Sequence, residues 1–238
     1  MLRAMATKKK ATPKTNATPK AKPAPKATGL KPLGSFAAVN SLLTPVLLDG
    51  SFTTAWEPLL DEPEDDDLGG HPQKIHDFYD DDDFTHGTLK VGKGKALVVT
   101  LEGQTGEAEV YRLDDGTILF AEPPRSWWND EDNYGSKKAD VEALFTEAIA
   151  PPGKSAKKVG KLELPTGKLV AFDGHADLKP VAKTLKTKAA LGDVSAFGRD
   201  DGGVVITLKS GTYVVRRRVL ERKWARDQPL VIVTVTPS

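Results

Sequence analysis

Cysteine is absent from this chain. That excludes disulfides, thiolate metal sites and a cysteine nucleophile. No run approaches the roughly 20 consecutive apolar residues that a membrane-spanning helix needs. A Gly-x-Ser-x-Gly nucleophile elbow is missing. Gly92-Lys-Gly94 lacks the Gly-Lys-Ser/Thr ending of a phosphate loop, and no helical pattern follows it. Large apolar side chains are almost missing from residues 1–29, which are rich in Ala, Pro, Lys and Thr. Such a segment cannot bury enough surface to offset chain entropy, so a disordered tail is expected there. Lys8-Lys-Lys10 is followed by polar and small residues rather than an apolar run, which reads as a cytoplasmic protein without a secretory signal.

What is present divides by charge. The net charge of +1 conceals a tail of eight basic residues and no acids over residues 1–29. The remainder holds 26 basic and 33 acidic residues, so a −7 body carries a +8 tail. The tail has no aromatic side chains for base stacking, and any nucleic-acid contact it makes is expected to be weak and nonspecific. The acids concentrate between Glu57 and Asp83, where twelve carboxylates face one base, Lys74. Asp61-Glu-Pro-Glu-Asp-Asp-Asp67 and Asp77-Phe-Tyr-Asp-Asp-Asp-Asp83 are the two dense runs, both expected on solvated loops because packed like charges are costly to bury.

Candidate chemistry within that window is thin. His71, His76 and His86 lie near the acids, and His175 stands apart. The spacing matches no metal motif, and Pro72 with its acidic neighbours argues for exposed loop histidines. Asp80 to Asp83 lacks the alternation and central glycine of a calcium loop. Neither a metal nor a cofactor is expected. Trp56 is a candidate contact that, between apolar stretches, reads equally as core. Trp127-Trp128 reads either as core or as a contact with a partner, since tryptophan is enriched at interface hot spots.

Strand-like runs dominate the rest. Val46 to Leu48 reads as a buried strand with Pro45 at its start or on an edge. Phe52, Trp56 and Leu59-Leu60 read as a short helix or turn against the core. Val91, Ala96 to Leu101, Ala108 to Leu113 and Thr117 to Ala121 read as strands, with Asp114-Asp-Gly116 as a hairpin turn. Ser136 to Ala150 is the clearest amphipathic helix: Val141, Leu144, Phe145, Ala148 and Ile149 share one face, and Pro151-Pro152 ends it. Residues 154–158 read as a linker. Val159 to Leu164, Lys168 to Phe172, Val194 to Phe197, Val204 to Leu208, Thr212 to Arg222 and Leu230 to Thr236 are further strands, and residues 178–190 read as a strand and a loop. Alternation puts Arg216 and Arg218 opposite Tyr213 and Val215, with Arg216-Arg-Arg218 read as a solvated strand edge. Asp200-Asp-Gly-Gly203 reads as a second hairpin turn, and the two Asp-Asp-Gly turns hint at an internal echo, though two turns alone do not make a repeat. The expected fold class is α+β: β-rich antiparallel sheets, one clear amphipathic helix and a disordered basic N-terminal tail. Residues 30–238 form one domain with candidate sub-lobes 30–153 and 159–238.

The runs Val91-Gly-Lys-Gly-Lys-Ala-Leu-Val-Val99 and Leu113-Asp-Asp-Gly-Thr-Ile-Leu119 resemble immunity protein family 21 of bacterial polymorphic toxin systems. Pro45-Val-Leu-Leu48 with Trp56 is similar to that family's opening segment, and Asp77-Phe-Tyr-Asp80 to its Asp-Tyr-Asp step. Leu169-Val-Ala-Phe-Asp173 and Ser210-Gly-Thr-Tyr-Val214 resemble its late strands. The resemblance implies a cytoplasmic antidote that binds a cognate protein toxin and performs no catalysis. If that toxin acts on nucleic acid and has a basic cleft, the acidic runs are the natural counter-surface. The expected contact residues are Asp65, Asp66, Asp67, Asp77, Tyr79, Asp80, Asp81, Trp127 and Trp128. The competing expectation is a nucleic-acid-associated accessory protein working through residues 1–29.

Overall fold

A computed structural model describes residues 31–38, 44–58, 68–79, 84–101, 106–122, 143, 146–147, 156–198, 202–220 and 230–238. Among the described residues, twelve strands form two six-stranded antiparallel sheets. The first half supplies β1 (Gly34–Ala37), β2 (Pro45–Asp49), β3 (His86–Val91), β4 (Gly94–Val99), β5 (Glu107–Arg112) and β6 (Ile118–Ala121). The second supplies β7 (Ala156–Leu164), β8 (Lys168–Asp173), β9 (Val194–Phe197), β10 (Gly203–Thr207), β11 (Gly211–Leu220) and β12 (Leu230–Pro237). Sheet one runs β1-β5-β6-β12-β11-β7 and sheet two runs β3-β4-β2-β8-β10-β9. The expected β-rich α+β class is therefore what the chain adopts. Strands from both sides of residue 155 enter both sheets, so the two halves share one core.

Side-chain alternation sets the layers. Val231, Val233 and Val235 of β12, with Ile118 and Phe120 of β6, face sheet two, where Leu47, Leu97, Leu169, Ala171, Val204 and Ile206 meet them. The other face of sheet two is also covered. There Val46, Leu48, Val98, Val170 and Phe172 pack beneath a 3-10 helix (Gly50–Ala55), α1 (Gly70–Tyr79) and α2 (Val181–Leu185). A sheet buried on both faces needs continuous apolar strands rather than alternating ones. That is why Val46-Leu-Leu48 and Leu169-Val-Ala-Phe172 are unbroken. Burial of each such side chain contributes about 1.5–3 kcal/mol. Pro45 opens β2 within the sheet interior, at the first-residue position where its missing N–H is tolerated. No described helix is long and apolar enough to cross a membrane.

Five expectations change. Residues 156–158, read as part of a linker, open β7 and pair with β11. β1 is an added strand, paired with β5. Residues 178–190 contain α2 in place of a strand. The supposed loop around His71 and His76 is α1, with Pro72 in the first turn, where a proline displaces no intrahelical bond. Arg216-Arg-Arg218 is not at an edge, because β11 is paired on both sides, with β7 and β12. Arg217 points into the sandwich, 8% exposed, and its Nε donates to the Thr100 carbonyl oxygen at 3.1 Å. Arg218 points the other way and donates to the Glu147 carbonyl oxygen at 3.0 Å. Ala143, Thr146 and Glu147 are helical, as the pattern over Ser136 to Ala150 expects; the rest of that helix lies outside the described residues.

The two faces of β11 predict different costs. Arg217→Ala strips a buried carbonyl of its charged donor and is expected to lower stability by about 1–3 kcal/mol. Arg216→Ala on the opposite face is expected to stay within about 0.5 kcal/mol. Urea midpoints at constant m-value separate the two.

Candidate partner-binding surface

The acidic window is organised by α1. This ten-residue helix spans about 15 Å at 1.5 Å per residue. One apolar side chain, Ile75, is fully buried and seats it on sheet two with Val46, Leu48 and Phe172. Ile75 lies where a β-carbon on Gly174 would stand, so the close approach of α1 requires glycine at 174.

His71 locks the N-terminal end. It is 3% exposed and stacks on Trp56 with ring centroids 4.7 Å apart. The Glu57 N–H donates to His71 Nδ1 at 2.9 Å, and Nε2 lies 3.1 Å from the Lys90 carbonyl oxygen. These partners assign the neutral ring with its proton on Nε2. The Glu57 carboxylate at 3.7 Å from Nδ1 is thus no ion-pair partner. Trp56 turns its edge to Phe172 at 4.9 Å and lies in the core, although its buried Nε1 has no hydrogen-bond partner among the described residues. A shallow cleft of about 420 Å³ opens beside the stack, lined by Trp56, Glu57, His71, Lys74 and Lys90. Lys74 and Glu57 approach to 3.4 Å with both side chains more than half exposed, a pair of little energetic weight.

Gln73 ties the middle of the helix to both flanks. Its Oε1 accepts from the Leu68 N–H at 2.7 Å and its Nε2 donates to Asp77 at 2.9 Å. Asp77 is exposed. Tyr79 differs: its hydroxyl turns inward to hydrogen-bond the Thr44 hydroxyl. Burial, with the Asp173 charge as a second cause, pushes its phenol up to about 12. Phe84 stacks on Phe78 at 4.9 Å and meets Tyr79 edge-on at 5.6 Å. Leu68 and Phe84 are thus both anchored, and the acidic runs begin where those anchors end. Asp65, Asp66, Asp67, Asp80, Asp81, Trp127 and Trp128 lie outside the described residues.

A polar cluster that sequence reasoning missed lies beneath Tyr79. Asp173, fully buried, accepts from the Thr44 N–H at 3.2 Å and the His175 N–H at 3.0 Å, with His175 Nδ1 at 3.2 Å. The available signal was Asp-Gly directly after an apolar strand, which occurs at Asp49-Gly50 and again at Asp173-Gly174. The arrangement caps a strand end. Among the described residues no three His, Asp or Glu side chains converge as a metal site.

No family model, curated protein or solved structure matches the chain.

Tyr79 generates a prediction with a definite sign. Its folded-state pKa lies above the ordinary value of 10. Between pH 10 and 12 the unfolded chain therefore loses a proton that the folded chain keeps, and stability falls as pH rises. Tyr79→Phe is expected to flatten that decline. Urea midpoints of both proteins from pH 9 to 12 test it, and parallel curves would contradict it.

Proposed function

We propose that the protein binds and neutralises a cognate bacterial toxin in the cytoplasm by covering its working surface, without catalysis. The supporting observation is the seating of α1. It fixes the flanks of two acidic runs about one helix length apart on a doubly packed sheet. A rigid seat lets charged segments meet a partner without first ordering their attachment points. The resemblance of Val91 to Val99, Leu113 to Leu119 and Asp77 to Asp80 to immunity protein family 21 supplies the class of partner. Acidic runs of this density suit a basic cleft, where they speed encounter and select the partner. Asp65, Asp66, Asp67, Asp77, Asp80 and Asp81 are the proposed contacts, with Trp127 and Trp128 as apolar anchors. Tyr79 joins this set through its ring, since its hydroxyl is engaged with Thr44.

The test is protection of cells expressing the toxin encoded beside this chain's gene, paired with binding kinetics against that toxin. Neutralising the six aspartates to asparagine is expected to slow association at least tenfold at low salt and to flatten its salt dependence. Deleting residues 1–29 is expected to leave protection intact. An association rate indifferent to ionic strength would remove the acidic runs from the account. Protection lost with the tail would favour the competing reading, in which the +8 segment works on nucleic acid.

A further inference from the structure

The strand order repeats itself. Exchanging each strand of the first half with the one six places later turns β1-β5-β6-β12-β11-β7 into its own reverse, and does the same to β3-β4-β2-β8-β10-β9. This is the order made by a two-fold axis through both sheets, passing between β6 and β12 and between β2 and β8.

The hydrogen-bond registers agree independently. β2 and β8 pair about Leu47 and Ala171, which places Val46, Leu48 and Asp49 on Val170, Phe172 and Asp173. Val98 pairs with Val46, as Val205 does with Val170. That match lays Ala96-Leu-Val-Val-Thr-Leu101 on Gly203-Val-Val-Ile-Thr-Leu208, two segments alike in sequence. Gly34 pairs with Val110, as Gly160 does with Val215. That match lays Gly106 on Gly211 and Arg112 on Arg217.

Contacts between the halves are exchanged in the same way. A β-carbon on Gly34 would meet Val204, and one on Gly160 would meet Leu97, the residue equivalent to Val204. Gly50 lies under Leu185 of α2, while Gly174 lies under Ile75 of α1. Asp49 accepts from Ser51 at 2.9 Å and from the Thr166 N–H of the other half at 3.1 Å. Asp173 accepts from His175 and from Thr44 of the other half. Arg112 reaches the Leu191 carbonyl oxygen at 3.1 Å, and Arg217 that of Thr100.

We infer that residues 31–122 and 156–238 are two copies of one unit, interlocked as the protomers of a two-fold dimer and joined by residues 123–155, each copy presenting to the other the surface that completes its core. Each unit leaves one edge of its inner strands, β2 or β8 and β6 or β12, unpaired until the other arrives. The duplication also isolates what one copy added. The crossover from β8 to β9 carries four lysines and two aspartates, whereas the equivalent crossover from β2 to β3 carries twelve carboxylates and one lysine. The acidic runs are a divergence of the first copy alone.

The full-length chain with a specific protease site placed within residues 123–155, cleaved after folding, tests the interlock. The two fragments are expected to elute together and to unfold in one transition whose midpoint rises with protein concentration. Fragments that separate while each keeps its own cooperative transition would overturn the inference. Equivalence of the copies is read from a rearranged full chain, residues 156–238 followed by 1–155. Residues 1–33 then span the gap from β12 to β1, matching the native link from β6 to β7. The same near-UV circular dichroism as the native order is expected, and a rearranged chain that does not fold would overturn the two-fold equivalence.

Discussion

The rest of the structure depends on the antiparallel pairing of β2 with β8. These strands occupy the middle of the sheet that is packed on both faces. Asp49 and Asp173, both fully buried, end the two strands at opposite corners of the ladder. A buried carboxylate is costly unless its oxygens are bonded. Each is satisfied by its own following turn and by the threonine that leads into the other strand. The register of the central pair is thereby pinned at both ends. A one-residue slip would exchange the side chains of two differently packed faces and strip both carboxylates of their partners at once.

From that pair outward the molecule has two kinds of surface. The sandwich interior is filled by Phe120, Ile118, Leu162, Leu164 and their neighbours, with Arg217 bonded there to the Thr100 carbonyl oxygen. The outer face of sheet two carries helices, and there the two halves part company. α2 is a single short turn with lysines around it, while α1 is longer, seated by Ile75, His71 and Trp56, and flanked by carboxylates. The neutral His71 is a structural strut between Glu57 and Lys90, and Trp56 is its floor. Both residue types invite a catalytic reading in a bare sequence, yet here they hold a helix in place. Under the proposed function the weight falls on the acidic runs that flank this helix in sequence.

The strands were legible wherever alternation or an unbroken apolar run met a glycine turn. Leu113-Asp-Asp-Gly116 closes the β5–β6 hairpin, with Thr117 N–H bonded to Asp115 at 2.9 Å and Gly116 at a φ of +85°. β1 was not legible, because four residues with one buried side chain, Phe36, carry too little period. α1 was hidden for a similar reason: a single fully buried apolar residue, Ile75, is swamped by polar neighbours and a proline. Arg217 was misread because alternation fixes a face but not what covers it. The repeat was hidden because equivalent positions shift between strands. The crossover after β2 is longer than the one after β8, and Leu101 to Gly106 is two residues longer than Leu208 to Gly211. Only the strand registers restore the match. The proposed contacts rest on charge and residue type alone, since Asp65 to Asp67, Asp80, Asp81 and the Trp127-Trp128 pair lie outside the described residues.

Native-state hydrogen exchange along β2 and β8 tests the central claim most directly. Amides of Val46, Leu48, Val170 and Phe172 are expected to exchange only through global unfolding, with one common free energy and one common denaturant dependence. Protection that survives in β8 after β2 has exchanged, or the reverse, would show that the halves hold themselves and would contradict the account.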